Sequence, residues 1–178
     1  MSTWYGAQPQ GLICGYRFAA EQGATPIDLS EAIEWLAAPP THGPSAFIWL
    51  HFDLADSSAE PWMHSHLGLP QEYFDVLRQG SRSTRIEDAQ NHLVAVVNDV
   101  AYEFAFDPSE IATLWLSVNE RVAVSARAHP LRSIDRLRVA VREGARFSST
   151  VDLLNHLMRE QGDVLVRISD EEQRYLVA

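Results

Sequence analysis

The sequence predicts an α/β (α+β) fold, with a mixed β-sheet of about six or seven strands sandwiched by helices and the start of a long stalk helix at the end. The stretch 47–54 (FIWLHFDL) is apolar at nearly every position, which is typical of a central strand covered on both faces. Segments with helical apolar spacing separate the strand-like segments. The last segment, 149–178, keeps a helical spacing of apolar side chains nearly to its end.

In the first half of the chain, strand-like and helix-like segments alternate. Asp28 and Ser57 each precede a glutamate by three residues, at Glu31 and Glu60, which is the capping-box spacing at the start of a helix. The predicted elements are a strand over 11–19, a short helix after Asp28 that ends at Pro39, the central strand over 47–54, a helix after Ser57 and a helix over 70–79.

The second half predicts a meander followed by two helices. Glu120 and Arg121 separate two β-forming runs and indicate a hairpin. The predicted strands cover 84–87, 93–100, 102–106, 112–119 and 122–127, and a helix covers 131–143.

The final helix is predicted to begin at Ser149, with Asp152 in capping position and apolar residues spaced from Val151 to Tyr175. If helical to Ala178, it would be about 43 Å long, longer than a small domain is wide. We therefore divide the chain into a domain over 1–148 and the start of a stalk helix over 149–178. The alternative is a C-terminal helix that frays.

Composition excludes several classes of protein. The chain has 178 residues, enough for one ordinary domain and an appendage, and its net charge of −10 argues against nucleic acid as the main partner. One cysteine permits neither an internal disulfide nor a multi-cysteine zinc site.

The chain contains no lysine, which excludes a Schiff base and a P-loop. It lacks a signal peptide and any apolar run near the ~18–20 residues of a membrane span, so we expect a soluble, intracellular chain.

The chain contains seven histidines, which suggests a metal site as one hypothesis. His64 and His66 lie two residues apart. On a strand both rings could bind one zinc ion, whereas on the predicted helix they point to different faces. His51 and Asp53 share one strand face, where a hydrogen-bonded core histidine is favoured over a metal ligand. No His-Glu-x-x-His motif or pair of cysteines supports a closed zinc site.

Nucleophilic catalysis has little support. No Gly-x-Ser-x-Gly elbow occurs, and Cys14 lies in an apolar strand, where an inert core thiol is expected. The loop 80–85 (GSRSTR) resembles an anion-binding loop only loosely, and we interpret it as a polar connector.

Basic residues concentrate late in the chain. Residues 121–146 hold seven arginines and two acidic residues, a local charge of +5 against −15 elsewhere. The helix within this segment therefore has a basic face, which could bind anions, line the inner wall of an assembly, or be a solvated surface balanced by acidic neighbours. The face consists of Arg132, Arg136, Arg138 and Arg142.

Several segments, in this order, resemble the N-terminal cytoplasmic domain of CorA-family divalent-cation transporters, most of all the ZntB zinc-transporter branch. The resemblance runs from about residue 10 to the end of the chain. The segments are GLICGYRF (11–18), FIWLHFDL (47–54), GSRSTRIE (80–87), LVAVVNDV (93–100), ATLWLSV (112–118) and SARAHPLRSIDRLR (125–138).

The resemblance implies a homopentamer in the bacterial inner membrane, with this domain on the cytoplasmic side forming part of a funnel. It implies a transported or regulatory divalent cation, zinc or magnesium, and neither an organic cofactor nor enzyme chemistry. An aspartate that helps to bind a regulatory cation between subunits in the family matches Asp75 in PQEYFDVLRQGSR (70–82). A solvated helix residue is the alternative for Asp75, since the ZntB branch departs from CorA in this region.

Two functions follow from these observations. The first is the cytoplasmic domain of a CorA/ZntB-type transporter for zinc or a related divalent cation. The second is a free-standing cytosolic α/β domain that binds a ligand or performs metal-dependent hydrolysis through His51 and Asp53.

Overall fold

A mixed β-sheet runs through the computed structural model, which describes residues 9–20, 22–40, 46–80, 84–100 and 111–162. Within these ranges, the strands are β1 (Leu12–Ala19), β2 (Gln22–Pro26), β3 (Phe47–Asp53), β4 (Arg85–Ala89), β5 (His92–Val100), β6 (Ile111–Val118) and β7 (Val122–Arg127). The helices are α1 (Leu29–Ala37), α2 (Ala59–His66), α3 (Gln71–Gln79), α4 (Arg132–Arg142) and α5 (150–162). A 3-10 turn, Pro9–Gly11, precedes β1.

The order of strands is β2-β1-β3-β7-β6-β5-β4. Within the described ranges, β3 and β7 form the one parallel pair, in register from Ile48 opposite Val122 to Asp53 opposite Arg127. The predicted hairpin of β6 and β7 is antiparallel. The prediction of a mixed sheet of six or seven strands is confirmed, with seven strands in the described ranges.

Helices cover both faces of the sheet, as predicted. One face packs against α1, α2 and α3, and the other packs against α4 and α5. Alternation along β3 assigns its side chains, because Leu50 and Phe52 lie on the first face while Trp49 lies on the second. All three are buried, which confirms that β3 is an interior strand with two apolar faces.

One of the two predicted capping boxes is present. At the start of α1, the Glu31 amide donates to Asp28 Oδ1 and the Asp28 amide donates to Glu31 Oε2, both at 2.8 Å. The prediction for α2 was wrong, since this helix begins after Ser58 and its N-cap side chain makes no capping bond. The reason is local, because the Ser58 hydroxyl donates to Asp56 Oδ1 at 2.6 Å instead.

The strand β2 has no counterpart in the sequence prediction. It is a short edge strand, mostly exposed, that pairs with β1, so neither of its faces shows an apolar pattern. The predicted strand over 102–106 lies outside the described residues.

The described part of the final helix packs on the domain. The amide of Asp152 donates to Ser149 Oγ at 3.1 Å, in agreement with the predicted start. Leu153 and Leu157 are buried against the sheet, whereas Val151, predicted to lie on the apolar stripe, is 60% exposed. The helix continues to 162, and the rest of the predicted stalk (149–178), residues 163–178, lies outside the described residues.

Candidate functional site

A buried polar cluster, Trp49, His51 and Ser125, lies at the centre of the sheet on the face covered by α4. The indole Nε1 of Trp49 donates to Ser125 Oγ at 2.8 Å, and His51 Nδ1 lies 2.8 Å from the same oxygen. Since the indole can only donate, the serine hydroxyl accepts that bond and retains its own hydrogen and a second lone pair, either of which pairs with His51 Nδ1 according to the tautomer of the ring. One hydroxyl therefore holds two aromatic side chains of β3.

The ring of His51 is neutral under ordinary conditions. The side chain is fully buried, and this burial lowers its pKa well below 6.5, assisted by the positive charges of Arg127 and Arg138. Asp53 accepts from the amide of Ala55 at 2.9 Å, so it organises the turn after β3. The structure therefore places His51 as a hydrogen-bonded core histidine, whose buried Nε2 has no hydrogen-bond partner among the described residues.

Cys14 lies beside the buried polar cluster, on β1, where it is in register with His51 on β3. Burial raises the pKa of the Cys14 thiol to about 12, although the neighbouring guanidinium of Arg138 acts in the opposite direction. A buried thiol with this pKa is almost wholly protonated at neutral pH and is therefore a poor nucleophile, which agrees with the expected inert core cysteine.

The four arginines predicted to form one basic face separate toward different partners. Arg136 faces α5 and pairs with Glu160 at 3.5 Å, whereas Arg138 pairs with Asp135 at 3.1 Å and reaches Cys14. Arg142 is exposed, and its Nε donates to the carbonyl of Arg138 at 3.3 Å. Arg132 lies half-buried at the start of α4. Helical geometry explains the separation, because Arg132 and Arg138 are about 120° apart around the axis.

The two candidate zinc ligands lie on α2, as the preferred interpretation expected, and contact different neighbours. His66 stacks on Trp62 with ring centroids 4.8 Å apart, and its Nδ1 lies 3.0 Å from the Trp62 carbonyl oxygen. His64 instead contacts Phe74, with centroids 4.9 Å apart. In the part of the chain that the structure describes, no group of three or more histidine, cysteine or acidic residues could hold a metal ion.

Asp75 is exposed on α3, and its Oδ1 accepts a hydrogen bond from Gln71 Nε2 at 3.0 Å. The helix is attached to α2 through Arg78 and Glu60, whose charged atoms lie 2.9 Å apart. The carboxylate of Asp75 is therefore on an outer surface, accessible to a partner. Residues 81–83 of the polar connector that follows lie outside the described residues.

Sequence reasoning missed a second polar network, at the end of the sheet where β6 turns into β7. Asn119 occupies its centre, with His92 and Thr150 as partners from β5 and α5. An asparagine before a two-residue turn is a signal of a side-chain-capped turn. Its partners are 27 and 31 residues away along the chain, beyond the reach of local patterns.

Comparison with known proteins gives one family. The sequence model of the family described as "CorA-like Mg2+ transporter protein" matches residues 44–172. A curated relative, the divalent cation transporter CmaX of Pseudomonas aeruginosa, is 22% identical over 172 residues. That alignment covers 93% of this chain and 50% of the relative, so the chain spans about half the length of the protein that it matches.

Solved structures share the fold. The full-length CmaX protein superposes with a TM-score of 0.82 at 20% identity, over 95% of this chain and 50% of the other. The ZntB cytoplasmic domain of Vibrio parahaemolyticus superposes with a TM-score of 0.71 at 16% sequence identity. The superposition covers 92% of this chain and 63% of the ZntB domain. The soluble domain of CorA from Methanocaldococcus jannaschii superposes with a TM-score of 0.56 at 13% sequence identity. The superposition covers 94% of this chain and 66% of the CorA domain. Among the described residues, no helix has the length and apolar character needed to cross a membrane.

Proposed function

This chain belongs to the CorA-like Mg2+ transporter family, and from that premise we propose that it is the cytoplasmic domain of a transporter for zinc or a related divalent cation in the bacterial inner membrane. The observation that carries the proposal is the family match over 44–172, which spans the sheet from β3 onward and enters the final helix. The predicted family is confirmed, while the transported ion and the role of the domain belong to the proposal.

We propose further that the full-length protein is a homopentamer whose cytoplasmic domains form a funnel. The overall charge of −10 supports this role, because an acidic surface raises the local concentration of cations. The local charge of +5 over 121–146 would hold counter-anions or line the wall between subunits. No organic cofactor and no enzyme chemistry enter this proposal.

Asp75 is proposed as one half of a regulatory cation site between subunits. Its exposed position on α3 supports the proposal, since a carboxylate there can meet a neighbouring subunit. Two such carboxylates repel one another until a cation neutralises them, so an occupied site would hold the subunits together and an empty site would loosen them.

The coding sequence beyond Ala178 gives the first test. We expect a continued charged helix and then two apolar segments of about 20 residues, joined by a short loop that resembles Gly-Met-Asn. The mass of the full-length protein in detergent gives the second test, and we expect five subunits. A stop codon immediately after Ala178, or a monomer in detergent, would contradict the proposal.

A further inference from the structure

Asn119 connects three elements at one end of the sheet. Its Oδ1 accepts the backbone amides of Arg121 and Val122, both at 2.8 Å, and so closes the turn between β6 and β7. Its carbonyl oxygen accepts the hydroxyl of Thr150, in the first turn of α5, at 2.7 Å. Its Nδ2 lies 3.2 Å from Nε2 of His92, the first residue of β5.

These contacts fix the orientation of the amide and the tautomer of the histidine. Because Oδ1 of Asn119 serves two backbone donors, the amino group must face His92. An amino group can only donate, so Nε2 of His92 must be the acceptor and must carry no hydrogen. The ring hydrogen is then on Nδ1, where it is donated to the hydroxyl of Ser117 at 3.1 Å.

We propose that His92 is a pH-sensitive latch, in which protonation of Nε2 sets a donor against the amino group of Asn119 and releases the β6–β7 turn and the first turn of α5. A rotated amide would restore a bond to the ring only by removing Oδ1 from the amides of Arg121 and Val122. Either response disturbs the residue whose carbonyl holds Thr150. The proposal concerns this domain by itself and does not depend on which ion the transporter moves.

The first turn of α5 is bonded directly to Asn119, so protonation of His92 should affect it. Thr150 is 2% exposed, so loss of its bond to Asn119 would leave a buried hydroxyl without its partner. Among the other bonds of this turn, the amide of Asp152 donates to the hydroxyl of Ser149 and the Leu153 amide donates to the Ser149 carbonyl. The amide and the hydroxyl of Ser148 also donate to the carboxylate of Asp152. A shift at Thr150 therefore reaches the helix that leads toward the end of the chain.

Burial, rather than a neighbouring charge, determines the protonation state of the His92 ring. His92 is 9% exposed, and desolvation lowers its pKa from 6.5. The charged or titratable side chains on the elements around it are Arg85, Glu87 and Asp88 on β4, Glu120 and Arg121 in the turn, and Asp152, His156, Arg159 and Glu160 on α5. Asp88 and Glu120 are exposed, and the guanidinium of Arg121 donates to carbonyls at the end of α1. The ring is neutral at neutral pH and gains a proton only when the pH falls below its lowered pKa.

The tautomer gives the first test, and it needs no variant. Long-range ¹⁵N–¹H correlation spectra of the 178-residue chain at about pH 7.5 should show His92 with its hydrogen on Nδ1. A spectrum in which the hydrogen is on Nε2 would overturn the proposal, because the ring could then not accept from Asn119.

Amide hydrogen exchange gives the second test, with the variant His92→Gln, whose carbonyl oxygen supplies an acceptor that gains no proton in this range. Between about pH 7.5 and 5.5, we expect the protection factors of Val122 and Leu153 to fall roughly fivefold or more further in the wild type than in His92→Gln, in which only the acid effect of the other histidines remains. His64→Gln, at an exposed position on α2, is the matched control and should behave as the wild type. Level protection in the wild type, or an equal fall in His92→Gln, would overturn the proposal.

Discussion

The hydroxyl of Ser125 on β7 lies 2.8 Å from Nδ1 of His51 on β3, across the one parallel strand pair among the described residues. The same hydroxyl accepts the indole hydrogen of Trp49. Polar groups in a core are stable only when they are paired, so this single oxygen allows β3 to carry a tryptophan and a histidine on an otherwise apolar face.

Replacement of Ser125 with alanine should destabilise the domain. The variant leaves the Trp49 indole and His51 Nδ1 without their partner in the core, and we expect the free energy of unfolding to fall by about 1–3 kcal/mol. Urea unfolding followed by circular dichroism measures the change. Ser65→Ala is the control, because Ser65 is exposed on α2, and it should stay within about 0.5 kcal/mol of the wild type. Equal stability of the two variants would contradict the role of Ser125.

His51 should make the domain less stable in mild acid. Its pKa is lowered in the folded chain, so below about pH 6.5 the unfolded chain binds a proton that the folded chain does not, and the free energy of unfolding falls as the pH falls. One such group contributes at most about 1.4 kcal/mol for each pH unit. His92 acts in the same direction, since its pKa is also lowered.

The variant His51→Gln separates the two contributions. The pH dependence of its unfolding free energy between about pH 7 and pH 5 should be shallower than that of the wild type, while His64→Gln should keep the wild-type slope. An unchanged slope in His51→Gln would show that the ring is protonated equally in both states.

Cys14 should be unreactive while the chain is folded. Burial raises the pKa of its thiol to about 12, so only about one thiol in 10⁴ is ionised at pH 8, and the side chain is also shielded from reagents. A thiol-reactive disulfide reagent should label the protein within minutes in denaturing urea and far more slowly in buffer. Rapid labelling of the folded chain would place Cys14 at a surface.

Asp75 should affect assembly rather than folding. In the full-length protein, Asp75→Asn removes the charge that the proposed cation site requires, so added magnesium or zinc should no longer protect the assembly against limited proteolysis. Asp88→Asn, at an exposed position on β4, is the matched control and should retain cation-dependent protection. Retained protection in Asp75→Asn would leave this residue as an ordinary solvated side chain.

Local patterns predicted most of the fold because they reflect local physics. The uniformly apolar run of β3 identifies an interior strand, and Asp28 with Glu31 marks the start of α1, since both signals lie within a few residues. The edge strand β2 could not be found in this way, because its stability comes from pairing with β1 and not from its own side chains. Ser57 was wrongly predicted as the N-cap of α2, because the helix begins after Ser58 and the hydroxyl of Ser58 donates to Asp56 instead of capping the helix.

The polar sites depend on tertiary contacts and were harder to predict. The strand pattern placed His51 on an inner face, but Ser125, its partner, lies 74 residues later. The basic face of α4 was drawn from spacing alone, whereas the folded chain turns Arg136 toward Glu160 and Arg138 toward Asp135. Side-chain partners across elements are set by packing, which the local spacing of residues along the sequence does not reveal.

Cation flux through the full-length protein tests the central claim most directly. The protein encoded by the whole gene would be reconstituted in liposomes loaded with a fluorescent indicator for zinc, and in parallel with one for magnesium, beside protein-free liposomes. We predict that zinc or a related divalent cation enters the protein-containing liposomes at a rate well above the control. Divalent cation entry no faster than in protein-free liposomes, with the protein folded and correctly inserted, would contradict the transporter function.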